Sequence, residues 1–102
     1  MAPLSAGRTR HTVAFRLKET VDEAGFLDAA RRLAAIPGVE EFELLRETSA
    51  KNEYRFGISM EFPDQAAYAA YNEHPDHVRF LRERWLLEVD DFLEIDYVRL
   101  PR

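Results

Sequence analysis

YRFGISMEF, residues 54–62, alternates without a break: Tyr54, Phe56, Ile58, Met60 and Phe62 fall on one side, and Arg55, Gly57, Ser59 and Glu61 on the other. A period of two with one apolar side is the pattern of a β-strand laid against a core. Upstream, ETSAKNE (residues 47–53) is a polar turn. Val39 to Glu47 reads as a second strand, so the two predict a hairpin. Downstream, Pro63 and Asp64 end the strand, and Asp64 has the short carboxylate that satisfies free amides at a helix start. QAAYAAYNE (65–73) then carries high helix propensity as far as Pro75, which breaks the helix or opens another. Val78, Leu81 and Trp85 at helical spacing predict a restart, and DFLEIDYVRL (91–100) predicts a closing strand.

Towards the N-terminus, HTVAFRLK (11–18) repeats the alternation, with His11, Val13, Phe15 and Leu17 on the apolar side. Thr20 and Glu23 have capping-box spacing, Phe26, Ala30, Leu33 and Ala34 follow at helical spacing, and Pro37 with Gly38 stops the run. This predicts a first helix from about Val21 to Ala35. The order strand, helix, strand, strand, helix, strand is that of the α+β ferredoxin-like fold, a four-stranded antiparallel sheet with both helices on one face. On the opposite face stand Ala14, Leu45, Gly57 and Ser59, small or apolar residues better suited to burial than to water. They predict a homodimer packed sheet to sheet, a dimeric α/β barrel.

The chain has 102 residues, one domain's worth, with residues 1–9 expected as a flexible tail and 10–102 as the domain. At 46% hydrophobic and 32% charged it is a globular composition. The net charge of −5, with basic residues dispersed among acids, argues against a nucleic-acid partner. No apolar run approaches a membrane span or a signal peptide, so no membrane association is expected and the cytoplasm is the expected location. Without cysteine there is no thiolate nucleophile, disulfide or sulfur-ligated metal.

The chemistry concentrates in YNEHPDHVRF (71–80), which holds two of the three histidines. Pro75 bends the chain so that Tyr71 and His77, six positions apart, can face one gap between helices and sheet. A neutral His77 suits removal of a proton from an acidic carbon flanked by carbonyls, and Tyr71 suits donation to the developing enolate oxygen. Asp96 is the expected partner of the other His77 nitrogen, through its carboxylate or its backbone carbonyl. Phe26, Phe56, Ile58 and Trp85 are candidates to line a cavity for a small hydrophobic ligand. His74, just before the proline, reads as a turn residue. A metal site from His74, Asp76, His77 and His11 is disfavoured because the proline spoils the one-turn spacing of the ring pair. No glycine-rich phosphate loop is present, and no metal or cofactor is expected.

RHTVAFRLK, IDYVRL (95–100) and above all YNEHPDHVRF in its place after the third strand resemble the stress-responsive dimeric α/β-barrel domain proteins, over nearly the whole chain. The resemblance implies a ferredoxin-like dimer. One branch of that family is the polyketide cyclases, which close a poly-β-ketone by aldol condensation without metal or cofactor. Their tyrosine and second histidine fall on Tyr71 and His77, and their first-strand pocket histidine falls on His11. A further pocket histidine of that branch falls on Phe56, a departure from the cyclase pattern. Two functions are therefore set against each other: a cofactor-independent cyclase or lyase with His77 and Tyr71 as acid–base pair, and a non-catalytic dimeric stress-linked or ligand-binding protein whose histidines brace the fold. A monooxygenase of the antibiotic-biosynthesis type rests on fold analogy alone.

Overall fold

The alternating segments form the expected strands in a computed structural model that describes residues 3–101. The order is β1 (Thr9–Leu17), α1 (Glu23–Arg31), β2 (Glu40–Arg46), β3 (Phe56–Phe62), α2 (Gln65–Glu73), α3 (Pro75–Phe80), α4 (Leu86–Glu88) and β4 (Val89–Val98). The sheet runs β2-β3-β1-β4, and each neighbouring pair is antiparallel. This is the ferredoxin-like arrangement, with the helices on one face.

The register explains which residues meet. His11 lies between Met60 and Asp96, Val13 between Ile58 and Glu94, and Phe15 between Phe56 and Phe92. These rows face the helices, whereas Arg10, Thr12 and Ala14 on the other face lie beside Glu61, Ser59 and Gly57. The core is aromatic. Phe15 and Phe26 have no exposed surface. The Phe15 ring centre lies 5.5 Å from that of Phe26, 5.7 Å from Phe56 and 5.2 Å from Trp85.

Several local expectations change. The first helix starts at Glu23 with Asp22 before it, and not at a Thr20 cap, because the Val21 amide is already turned back onto the Lys18 carbonyl. Its last turn, Arg32–Ala35, tightens to a 3-10 helix. β1 begins at Thr9, and Arg8 of the expected tail pairs with Glu40 and Glu61; Met1 and Ala2 lie outside the described residues. A register shift interrupts β2 between Glu40 and Glu43, with Glu41 at φ 51°. After α3 the backbone makes one π-helical turn, Leu81–Trp85, in which the Leu86 amide reaches back five residues to the Leu81 carbonyl. That wider turn brings Phe80 and Trp85, five residues apart, to the same interior side, while Val78, predicted to share a face with Trp85, is exposed.

β4 receives little cover within the chain: Phe92, Leu93, Ile95, Tyr97 and Val98 are all exposed large side chains. No helix among the described residues is long and apolar enough to cross a membrane.

On the outer sheet face Glu61 is bound by Arg10 and Arg8, each at 3.0 Å. Arg10 foremost, with Arg8, holds its carboxyl below the usual carboxylate range against the opposing effect of burial. A depressed folded-state pKa gives stability that is complete above the unfolded value and lost as pH falls through the folded one. Wild type should therefore exceed Glu61→Gln in urea stability at pH 7, with the gap narrowing once pH drops below about 4.3. A gap unchanged down to about pH 2 would contradict the assignment. In the same experiment at pH 7, Phe15→Ala should cost about 3–5 kcal/mol, the range for deleting a fully buried ring from a packed core.

Candidate functional site

Pro75 decides the geometry. α2 ends at Glu73, and the Asp76 amide, which in a continued helix would meet the Asn72 carbonyl, donates instead to His74 Nδ1 at 3.1 Å. His74 is thus the N-cap of α3, with Pro75 in the first turn, where its missing N–H costs nothing. The Asn72 carbonyl is left over at the end of α2, and His77 Nδ1 donates to it at 3.0 Å.

This bond fixes the His77 tautomer. A carbonyl only accepts, so Nδ1 carries the proton, and in the neutral ring Nε2 carries the lone pair. Burial holds His77 below the ordinary imidazole range, with the Asn72 carbonyl opposing that effect and His11 adding to it. The ring centre lies 4.4 Å from that of Tyr71. Tyr71 is 2% exposed, and its hydroxyl has no hydrogen-bond partner among the described residues. No fully enclosed side-chain nitrogen or oxygen among those residues lacks a partner, so the unpartnered hydroxyl opens onto free space. Burial, and secondarily Glu94, push the Tyr71 phenol up, keeping it a protonated donor.

The free space is a cavity of about 330 Å³ between helices and sheet, open at one side. Val13, Ile58 and Met60 floor it, Phe80 and Trp85 form a wall, and His11, Tyr71, His77 and Glu94 supply polar groups. The structure brings His11, Ile58, Tyr71, His77 and Trp85 of the predicted set to this cavity. Phe26 and Phe56 do not reach it. Phe56 sits in the Phe15 row of the sheet and Phe26 of α1 packs on it, where the rings around Phe15 fill the interior, with Arg46 covering the Phe56 face at 5.2 Å.

Asp96 does not hold His77. It lies opposite His11 in the β1–β4 register, and His11 Nδ1 donates to Asp96 Oδ1 at 2.6 Å. The Tyr68 hydroxyl donates to Asp96 Oδ2 at 2.8 Å and lies 3.0 Å from His11 Nδ1. Tyr68, which by spacing alone looks like core packing, is a member of this polar group; its place one turn before Tyr71 was the available signal. Burial first, then Asp96, raise the Tyr68 phenol. The grouping of His74, Asp76, His77 and His11 weighed from sequence is not one that brings ligand-type atoms together among the described residues. His11, Glu94 and Asp96 do bring ligand-type atoms within 4.8 Å of one another. The His11 nitrogen in that group already donates to Asp96, so a cation there would have to displace its proton.

No curated protein matches the chain. A protein of this fold from Mesorhizobium loti MAFF303099, described as a Dabb family protein, is 57% identical with TM-score 0.88, covering 93% of this chain and 99% of that one. A dimeric ferredoxin-like protein of unknown function from Thermobifida fusca YX is 22% identical with TM-score 0.78, covering 95% of each chain. The hydroxynitrile lyase of Passiflora edulis superposes with TM-score 0.84 over 96% of this chain and 98% of its own, at 14% identity. The last two likenesses carry the fold alone. The family model of the stress-responsive A/B barrel domain matches residues 9–99, from the first residue of β1 to just past β4. The chain belongs to the stress-responsive A/B barrel domain family.

Proposed function

We propose that the cavity binds a small, largely apolar carbonyl compound, and that His77 and Tyr71 act on it as proton acceptor and hydrogen-bond donor, in cyclase- or lyase-type chemistry that needs only these side chains. One observation carries the reading: a neutral imidazole with a bare Nε2 and a phenol with an unpartnered hydroxyl stand side by side on one apolar cavity. With the substrate oxygen at Tyr71 and its acidic carbon at His77, Nε2 takes the carbon-bound proton. The C–H electron pair passes to the oxygen as an enolate, which the Tyr71 O–H stabilises, and the imidazolium returns the proton to product. The lowered pKa keeps His77 neutral, and therefore competent, at neutral pH.

Acetophenone in D2O tests this directly, because removal of a methyl proton exchanges it for deuterium, which proton NMR reads. The protein should accelerate exchange above buffer, Tyr71→Phe should lower the rate about 10²-fold, and His77→Ala should abolish it. Since the base must be neutral, the rate should be flat above about pH 6.5 and fall only below it. A non-catalytic brace is the competing reading, favoured by the bond that ties His77 to the end of α2. Asn72 is exposed, so water replaces the lost donor in His77→Ala. The cavity reading therefore expects little change in melting temperature, whereas a brace should cost about 1–3 kcal/mol. No exchange above buffer, combined with a large loss of stability in His77→Ala, would defeat the proposal.

The functional unit we propose is a homodimer. Leu93, Ile95 and Tyr97 of β4, together with Leu45 of β2, are exposed on the sheet face away from the helices, around Ala14 and Gly57. Such an apolar face suits a second copy, and a permanent interface of about 2,000 Å² or more would cover it. Sedimentation at micromolar concentration should give twice the 11.9 kDa chain mass, and Leu93→Asp should give the single mass. A wild-type monomer would rule the dimer out.

A further inference from the structure

Among the described residues that border the cavity, Glu94 is the one carboxylate. It stands opposite Val13 on the edge strand β4, with its side chain 49% exposed. Its carboxylate has no hydrogen bond among the described residues, and His11 Nδ1 lies 3.9 Å from it. Asp96, by contrast, has both oxygens engaged by His11 and Tyr68 and does not border the cavity. Glu94 is thus an unspent anion facing a space otherwise lined by hydrocarbon, aromatic rings, two imidazoles, a phenol and Asn72. Its charge reaches both groups of the acid–base pair, contributing to the raised Tyr71 phenol and opposing the lowered His77 imidazole.

We infer that Glu94 sets the charge specificity of the cavity, selecting neutral carbonyl compounds that carry a hydrogen-bond donor at the end away from the carbonyl and rejecting carboxylates. The inference rests on the reading above and names its ligand class. A carbonyl oxygen at the Tyr71 hydroxyl leaves the far end of a small ligand near the open side. There an O–H or N–H donates to the Glu94 carboxylate, and a second carboxylate meets a like charge in a partly desolvated place. Phe92 and Trp85, whose rings meet edge to face at 5.5 Å, flank that end and suit a flat body between the two polar ends.

The probes are 4-acetylbenzamide and 4-acetylbenzoate, which share shape and differ in charge. Titrated into wild-type protein by NMR, the amide should bind at least about tenfold more tightly than the carboxylate. Glu94→Gln should bring the two within about threefold of each other, chiefly by strengthening carboxylate binding, and Glu94→Lys should reverse the order. Glu94 is half-exposed and bonds nothing, so both variants should fold, and acetophenone binding, which involves no second polar end, checks that the cavity is intact in each. Amide binding with a preference that neither variant alters would overturn the inference and leave the proposed function standing. Failure of acetophenone and both acetylbenzenes to bind wild type would overturn both together.

Discussion

The site depends on a proline that lacks an amide hydrogen. In an unbroken helix the carbonyls of residues 71 and 72 would accept from the amides of residues 75 and 76. Pro75 has nothing to donate, and the Asp76 amide goes to His74 Nδ1. The Asn72 carbonyl is then free for the His77 ring, and that bond protonates Nδ1 and bares Nε2. The tautomer of the candidate base is therefore a consequence of backbone bookkeeping two to five residues upstream. His74, although nearest in sequence to the chemistry, contributes by capping alone.

The same economy holds on the other side of the cavity. Antiparallel register puts Asp96 directly across from His11, so a carboxylate on the helix-facing side of β4 meets an imidazole that can use it. Tyr68 closes the group from α2, and its ring stacks on Phe62 at 4.9 Å, which anchors the hydroxyl's position through hydrocarbon contact. Polar groups inside a small domain are tolerated when each has a partner, and here the partners are supplied by the sheet and by α2.

Strand identity was legible wherever one face is buried, because burial enforces period two: His11 to Leu17 and Phe56 to Phe62 read directly. Asp64 was legible because capping is local chemistry, and its carboxylate does accept the Ala67 amide at 2.8 Å. Pairings that depend on register were not. The partner of Asp96 follows from how β4 slides along β1, and a shift of one residue would have turned that carboxylate to the other face. The π-helical turn after Phe80 was equally hidden, since its extra residue changes the phase of everything beyond it and has no composition signal. Phe56 shows the remaining limit. An aromatic on the correct face of the correct element can still be one row away from the cavity, and a row is two residues of strand.

The pairing of β1 with β4 also orders events in time. Strands β1 and β3 are held together by contacts about fifty residues apart, but β1 meets β4 across more than seventy, and the His11–Asp96 bond spans 85. Long loops close late because their entropy is lost before their contacts form. A chain being synthesised therefore holds β1 with one unpaired edge, and the cavity without its Glu94 and Phe92 wall, until β4 is free to dock. The border of the cavity is complete only once β4 lies on β1, so a ligand held there would also hold the closing strand in place.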